Sequence, residues 1–142
     1  IAAPELDEDL VAIDAALEIR RQPGFDLAKV HEIRASINSQ GYQAVGTPLD
    51  VRRRPGNVVQ AQFSICYNIA CALVNGSVRL SDFTAEAIRR PEILAVAALV
   101  TPIVDAEFEK TMGRNVTPAR VEAVMGERTC SAIGAGSSVG GS

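Results

Sequence analysis

The spacing of hydrophobic and polar positions predicts a helix near the start of the chain and a strand soon after it. Over residues 8–21, Leu10, Ile13, Ala16 and Leu17 share one helical face, and basic residues close the segment, as the helix dipole favours. Residues 31–38 instead alternate apolar and polar positions, which is the period of a half-buried strand. The pattern therefore predicts a helix followed by a strand.

The middle of the chain carries its most apolar segment. Residues 61–75 are apolar on most of their circumference and end at Asn75-Gly76, which predicts a central helix closed by a glycine cap. Residues 39–59 show no dominant period and are punctuated by glycine and proline, so we expect a long irregular connection with one helical turn. Polar amides interrupt the uncharged stretch 55–78, which favours a buried helix over a membrane span.

The last third of the chain predicts two short helices and three strands. Helices are expected at 81–90 and 91–99, with Pro91 at the first position of the second helix. A strand is expected at 101–107, and residues 121–125 and 129–133 form a predicted hairpin. This order predicts an α+β fold with a small, mainly antiparallel sheet of about four strands covered by helices. We expect one domain over residues 1–133 and a flexible glycine- and serine-rich tail over residues 134–142.

Composition and charge narrow the class of partner. The chain has 142 residues, 47% of them hydrophobic and 22% charged, with a formal net charge of -3, which is typical of globular proteins. Because this charge balance gives no extended positive face, we expect neither nucleic acid nor a membrane as partner. Three cysteines and one histidine lack metal-ligand spacing, so no metal site is expected and a cytoplasmic location is favoured. Cys66 and Cys71 point in different directions on the predicted helix, which argues against a disulfide between them.

Residues 61–76 read AQFSICYNIACALVNG, in which a small residue precedes x-F-S-x-x-Y and an alanine-rich helix ends at a glycine. This pattern resembles the C-terminal domain of the MmgE/PrpD family, and the segments from residue 10 to residue 133 follow the order of that domain. The resemblance implies homodimeric enzymes that act on small di- and tricarboxylates without metal or organic cofactor, such as 2-methylcitrate dehydratase, cis-aconitate decarboxylase and an iminodisuccinate epimerase. It also implies that a helical domain supplies the acid and base groups.

The resemblance places Tyr67 on the tyrosine that lies at the family's substrate cleft. A phenol can hydrogen-bond a substrate carboxylate, or pass a proton if its pKa is lowered. The alternative is a core aromatic residue whose hydroxyl has a structural partner. Ser64 and Asn68 recur with Cys71 and Asn75 at helical spacing, and this uncharged polar stripe either lines a substrate pocket or packs against a neighbouring element.

The remaining candidate residues are basic. Arg52 and Arg53, in the run 52–54, can clamp a carboxylate between guanidinium groups, or the run is simply solvated. In the family, a histidine usually stands four residues before the aspartate that aligns with Asp14, whereas this chain has Leu10, which can neither donate a proton nor bind a carboxylate. His31 precedes the predicted strand, where a lone histidine is structural or solvated.

Two functions follow from the resemblance and remain open. In the first, the chain is an orphan or excised C-terminal domain of a lyase or isomerase, inactive alone and dependent on a helical catalytic domain. In the second, it is a stand-alone, non-catalytic module that dimerises or binds a small anion, as the leucine at position 10 favours. An unrelated α+β domain is a third reading, in which the aligned segments are coincidental.

Overall fold

The computed structural model describes residues 7–110 and 118–134. Helices and strands alternate irregularly along this part of the chain, in the order α1 (Asp7–Arg20), β1 (Glu32–Ile37), α2 (Ser39–Gly41), α3 (Leu49–Arg53), α4 (Val58–Gln62), α5 (Ile65–Asn75), α6 (Pro91–Ala97), β2 (Val100–Val104), α7 (Ala106–Glu109), β3 (Ala119–Met125) and β4 (Arg128–Gly134). Short 3₁₀ turns at Leu27–Lys29, Leu80–Asp82 and Ala87–Arg89 and a π-helical turn at Tyr42–Gly46 connect them.

The strands form a four-stranded sheet in the order β2-β1-β3-β4. Strand β1 runs parallel to β2 and antiparallel to β3, and β3 and β4 form an antiparallel hairpin. The register sets Ile33 opposite Val100 on one side and Ala123 on the other. The predicted α+β class, the mainly antiparallel sheet and the hairpin are confirmed.

One face of the sheet is covered by helices. Along β3, buried apolar residues alternate with half-buried ones, so a single face points into the core. Helix α1 packs on β3 and β4, and α5 packs between α1 and α6 while also contacting β2. Nine of the eleven residues of α5 are buried, which confirms that the apolar segment lies at the centre of the fold. None of the helices in the described ranges has the length and apolar character needed to cross a membrane.

The structure corrects the predictions for five segments. The connection 39–59 is mostly helical, because the Asn38 side chain accepts a hydrogen bond from the Gly41 amide and starts α2. The helix expected at 61–75 is divided into α4 and α5, and Ser64 caps the second. Residues 81–90 form 3₁₀ turns, and the strand expected at 101–107 ends at Val104, where Asp105 caps α7. Of the predicted tail, Gly134 belongs to β4 and residues 135–142 lie outside the described residues.

Candidate functional site

Ser64 caps the N-terminus of α5. Its hydroxyl accepts a hydrogen bond from the Tyr67 amide at 3.0 Å and donates one to the Arg52 carbonyl oxygen at 2.5 Å. The first bond satisfies one of the amides that a helix leaves free at its N-terminus, and the second attaches the helix to the end of α3. The side chain is fully buried, so Ser64 fixes the direction in which α5 enters the core.

Tyr67 lies in the first turn of α5 and has no solvent-exposed surface. Its hydroxyl donates a hydrogen bond to the main-chain carbonyl oxygen of Asp82, and Arg90 Nη2 approaches the same hydroxyl at 3.4 Å. Its ring packs edge-on against Phe83 with 5.8 Å between the ring centroids. Tyr67 therefore joins the central helix to the segment that crosses above it.

An ion pair closes this arrangement. Arg90 Nη2 lies 2.9 Å from Asp82 Oδ1, and the other carboxylate oxygen accepts the Arg79 amide at 2.8 Å. Arg90 Nε donates to the Ala87 carbonyl oxygen at 2.8 Å, so its guanidinium is fixed from two sides. The Asp82 side chain is 6% exposed and that of Arg90 29%, so the pair extends from the interior to the surface. We call Tyr67, Cys71, Asp82 and Arg90 the polar cluster.

The electrostatics of the polar cluster keep the phenol and the thiol neutral. Burial raises the pKa of the Tyr67 phenol well above its ordinary value, and the neighbouring Cys71 adds to this shift while Arg90 opposes it. Burial, and then the negative charge of Asp82, raises the pKa of the Cys71 thiol to about 12. The phenol can therefore donate a hydrogen bond, but it is not prepared to accept a proton as a phenolate.

Asn68 directly follows Tyr67 in α5 and is fully buried. Its Nδ2 donates to the main-chain carbonyl oxygens of Ser64 at 2.8 Å and Ala61 at 3.1 Å, which sets the orientation of the amide. Within the described part of the chain, Asn68 Oδ1 is buried without a hydrogen-bond partner. The amide thus holds together the two short helices between which the chain bends.

Residues 10–133 match the family described as the MmgE/PrpD C-terminal domain. The chain belongs to this family. The matched range includes every described strand up to Ile133 and both helices of the Ala61–Gly76 motif, so the suspected family is confirmed. A search of curated proteins found no match.

In this MmgE/PrpD domain, the predicted stripe on α5 is divided between two tasks. Ser64 and Asn68 hold the helix start. Cys71 belongs to the polar cluster, with its Sγ 4.0 Å from Arg90 Nη2, and Asn75 lies beside the cluster, with its Nδ2 3.4 Å from Asp82 Oδ1. The substrate-binding roles of Ser64 and Asn68 stay predictions.

The two basic candidates lie on α3 and hold the backbone. Arg52 donates to the carbonyl oxygens of residues 44, 47 and 63 over distances of 2.9–3.2 Å. Arg53 donates to the Val100 carbonyl oxygen and to Thr101 Oγ1, both at 3.0 Å. Their guanidinium groups thus face different partners, and a shared carboxylate clamp stays a prediction.

Leu10, which the resemblance aligns with the family histidine, lies at the surface of α1. Leu10 is 42% exposed there, and His31 is exposed before β1, where its amide donates to the Val124 carbonyl oxygen. In the described ranges, no three His, Cys, Asp or Glu side chains are grouped so as to hold a metal ion.

Asp82 and Arg90 were not among the sequence candidates. Both residues fall within the segment 81–90, which was expected to form a helix and was assigned no functional role. A signal for their pairing did exist, because the segment between α5 and α6 places an acidic and a basic residue on either side of two apolar ones, Phe83 and Ile88, that are buried. The partner of Tyr67 could not be derived from this spacing.

Proposed function

We propose that the chain is the C-terminal domain of a lyase or isomerase that acts on small di- or tricarboxylates. Turnover requires a helical catalytic domain, supplied by the same polypeptide or by a partner chain, and no cofactor. The observation that carries the proposal is the family match over residues 10–133. The resemblance of residues 61–76 to the family motif assigns Tyr67 to the cleft tyrosine.

The surroundings of Tyr67 support a binding role rather than a proton-transfer role. Burial raises the phenol pKa, so the hydroxyl remains a hydrogen-bond donor at neutral pH. Its present acceptor is the Asp82 carbonyl oxygen, and a substrate carboxylate would have to replace that acceptor. Arg90 is the partly exposed member of the polar cluster and would offer the matching positive charge. The proposed substrate contact is therefore a donated hydrogen bond from Tyr67 beside a guanidinium.

The proposed inactivity of the chain alone rests on what the polar cluster lacks. Leu10 occupies the position of the family histidine and carries no proton, and the pKa of Tyr67 and that of Cys71 are both raised away from neutrality. General acid–base catalysis needs groups that exchange protons near the working pH. A second domain would have to bring them.

The direct test is incubation of the purified chain with 2-methylcitrate or cis-aconitate, followed by NMR of the products. We expect no turnover. Turnover that Tyr67→Phe abolishes would overturn the dependence on a second domain. The enzyme proposal itself fails if the parent gene encodes no helical domain and no such subunit co-purifies with the chain.

The alternative is a stand-alone module that dimerises or binds a small anion. Leu10 favours it, and so does the exposure of several large apolar side chains, namely Leu10, Val59, Phe63 and Leu80. Such side chains would be covered by self-association. Light scattering over the micromolar range tests this alternative, and a monomer at every concentration would argue against dimerisation. A cytoplasmic location is part of both proposals, since the three cysteines are free and buried.

A further inference from the structure

An open depression of about 510 Å³ lies on the outer side of α6. It is lined by Arg54, Arg89, Pro91, Leu94, Ala95 and Ala98. This volume falls in the range of about 300–1,000 Å³ that small-molecule sites occupy. None of the lining residues belongs to the polar cluster, so the depression is a different place on the surface. We call it the α6 depression.

The floor of the α6 depression is apolar at helical spacing. Pro91, Leu94, Ala95 and Ala98 stand at positions i, i+3, i+4 and i+7 and share one face. The opposite face of α6, with Ile93, Val96 and Ala97, is buried in the core. A surface helix ordinarily turns polar residues outward. The part of α6 that lines the depression is apolar instead, and the exposed Glu92 is not among the lining residues. This apolar lining suits an aliphatic ligand.

The rim of the depression carries two positive charges. Arg54 follows α3, Arg89 precedes α6, and both are exposed. Within the described residues, neither guanidinium has a hydrogen bond or an ion pair, whereas the neighbouring Arg52, Arg53 and Arg90 are all engaged. Two unpaired guanidinium groups beside an apolar floor, on a chain whose net charge is -3, select a negatively charged group.

We infer that the α6 depression binds an organic anion composed of one carboxylate and a short aliphatic body. The carboxylate lies between Arg54 and Arg89, and the aliphatic body lies on Leu94, Ala95 and Ala98. This site is independent of the proposed substrate contact at Tyr67, because it shares no residue with the polar cluster. Its ligand differs as well, since the apolar floor disfavours compact di- and tricarboxylates.

The test is an NMR titration of the isotopically labelled chain with hexanoate, with 1-hexanol and acetate as matched probes. Hexanol has the aliphatic body without the charge, and acetate has the charge without the body. We expect hexanoate to shift the amide signals of Arg54, Arg89 and α6 at millimolar concentration, and both partial probes to bind at least about fivefold more weakly. Equal binding of hexanol, equal binding of acetate, or no response to hexanoate would each overturn the proposal.

Three variants and one control variant make the same test specific. Arg54→Gln and Arg89→Gln should each weaken hexanoate binding about fivefold or more, because a charge-assisted contact is lost. Arg21→Gln is the control, since Arg21 is an exposed arginine paired with Glu18 and does not line the depression. Ala95→Glu places a like charge on the exposed floor without touching the core and should abolish binding. An equal loss in Arg21→Gln, or unchanged binding in Ala95→Glu, would refute the site.

Discussion

The carboxylate of Asp82 lies 2.9 Å from the guanidinium of Arg90, directly beside the hydroxyl of Tyr67. This contact joins the turn after α5 to the residue that leads into α6. The Asp82 carboxylate also accepts the Arg79 amide, and Arg90 Nε donates to the Ala87 carbonyl oxygen, so the pair joins two turns of the segment between these helices. The pair therefore links the stability of the fold to the geometry around the proposed substrate contact.

We expect Asp82→Asn to lower the free energy of unfolding by about 2 kcal/mol. Removing one partner of a buried ion pair costs about 3–5 kcal/mol, and the partial exposure of Arg90 reduces that loss. The introduced side-chain amide would also compete poorly for the bonds from Arg90 and the Arg79 amide, because it has one acceptor oxygen in place of two. Urea unfolding monitored by circular dichroism measures the difference.

The control for this prediction is Glu32→Gln, which removes an exposed ion pair with Arg34 on the sheet. Exposed pairs contribute about 0–1 kcal/mol, so this variant should unfold close to the wild type. Equal losses in the two variants would mean that the Asp82–Arg90 pair is screened by solvent as the surface pair is.

Tyr67→Phe should lower the free energy of unfolding by about 1 kcal/mol and leave the fold intact. The phenylalanine keeps the edge contact with Phe83 but loses the bond to the Asp82 carbonyl oxygen. Tyr42→Phe is the matched control, because the half-buried Tyr42 hydroxyl has no hydrogen bond within the described residues. Urea unfolding of both variants measures their free energies of unfolding. If Tyr67→Phe is as stable as Tyr42→Phe, the Tyr67 hydroxyl does not stabilise the fold.

Ser64→Ala should cost about 1–2 kcal/mol of stability. The change removes both the cap of α5 and the bond to the Arg52 carbonyl oxygen, and it leaves the buried Tyr67 amide without its partner. Asn57→Ala removes the exposed cap of the shorter helix α4 and should cost about half as much. Thermal unfolding of the two variants compares them. A larger loss at Asn57 would show that α5 does not depend on its cap.

The sequence predicted the elements whose apolar period is long and uninterrupted. Helix α1, strand β1 and the β3–β4 hairpin appear within about two residues of their expected bounds, since period and turn residues agree there. The helix at 61–75 was recognised by composition, but composition alone does not show a bend. The break at Ser64 arises because its hydroxyl competes for the backbone, a choice that depends on Arg52 at a distance in the chain.

The sequence identified Tyr67 as a candidate residue, but it did not identify the residues that contact Tyr67. The motif identified the tyrosine, whereas its partners come from a segment with no regular period, where 3₁₀ turns bring Asp82 and Arg90 together. The same limit applies to Arg52 and Arg53, which were considered as a charged run although tertiary contacts give each separate carbonyl partners. Pairings of this kind depend on the packed fold, and the spacing of charged residues in the sequence does not show which partners meet.

The free energy of unfolding should fall as pH rises above about 9, partly because the Cys71 thiol ionises more readily in the unfolded chain. Its thiol pKa is 9.0 ordinarily and about 12 in the folded chain, so above pH 9 the unfolded chain releases a proton that the folded chain retains. Each such group steepens the decline by up to about 1.4 kcal/mol per pH unit. Cys71→Ala should therefore show a shallower decline between about pH 9 and about pH 11 in urea unfolding. Any packing loss in this variant is independent of pH, so equal slopes for the two proteins would contradict the prediction.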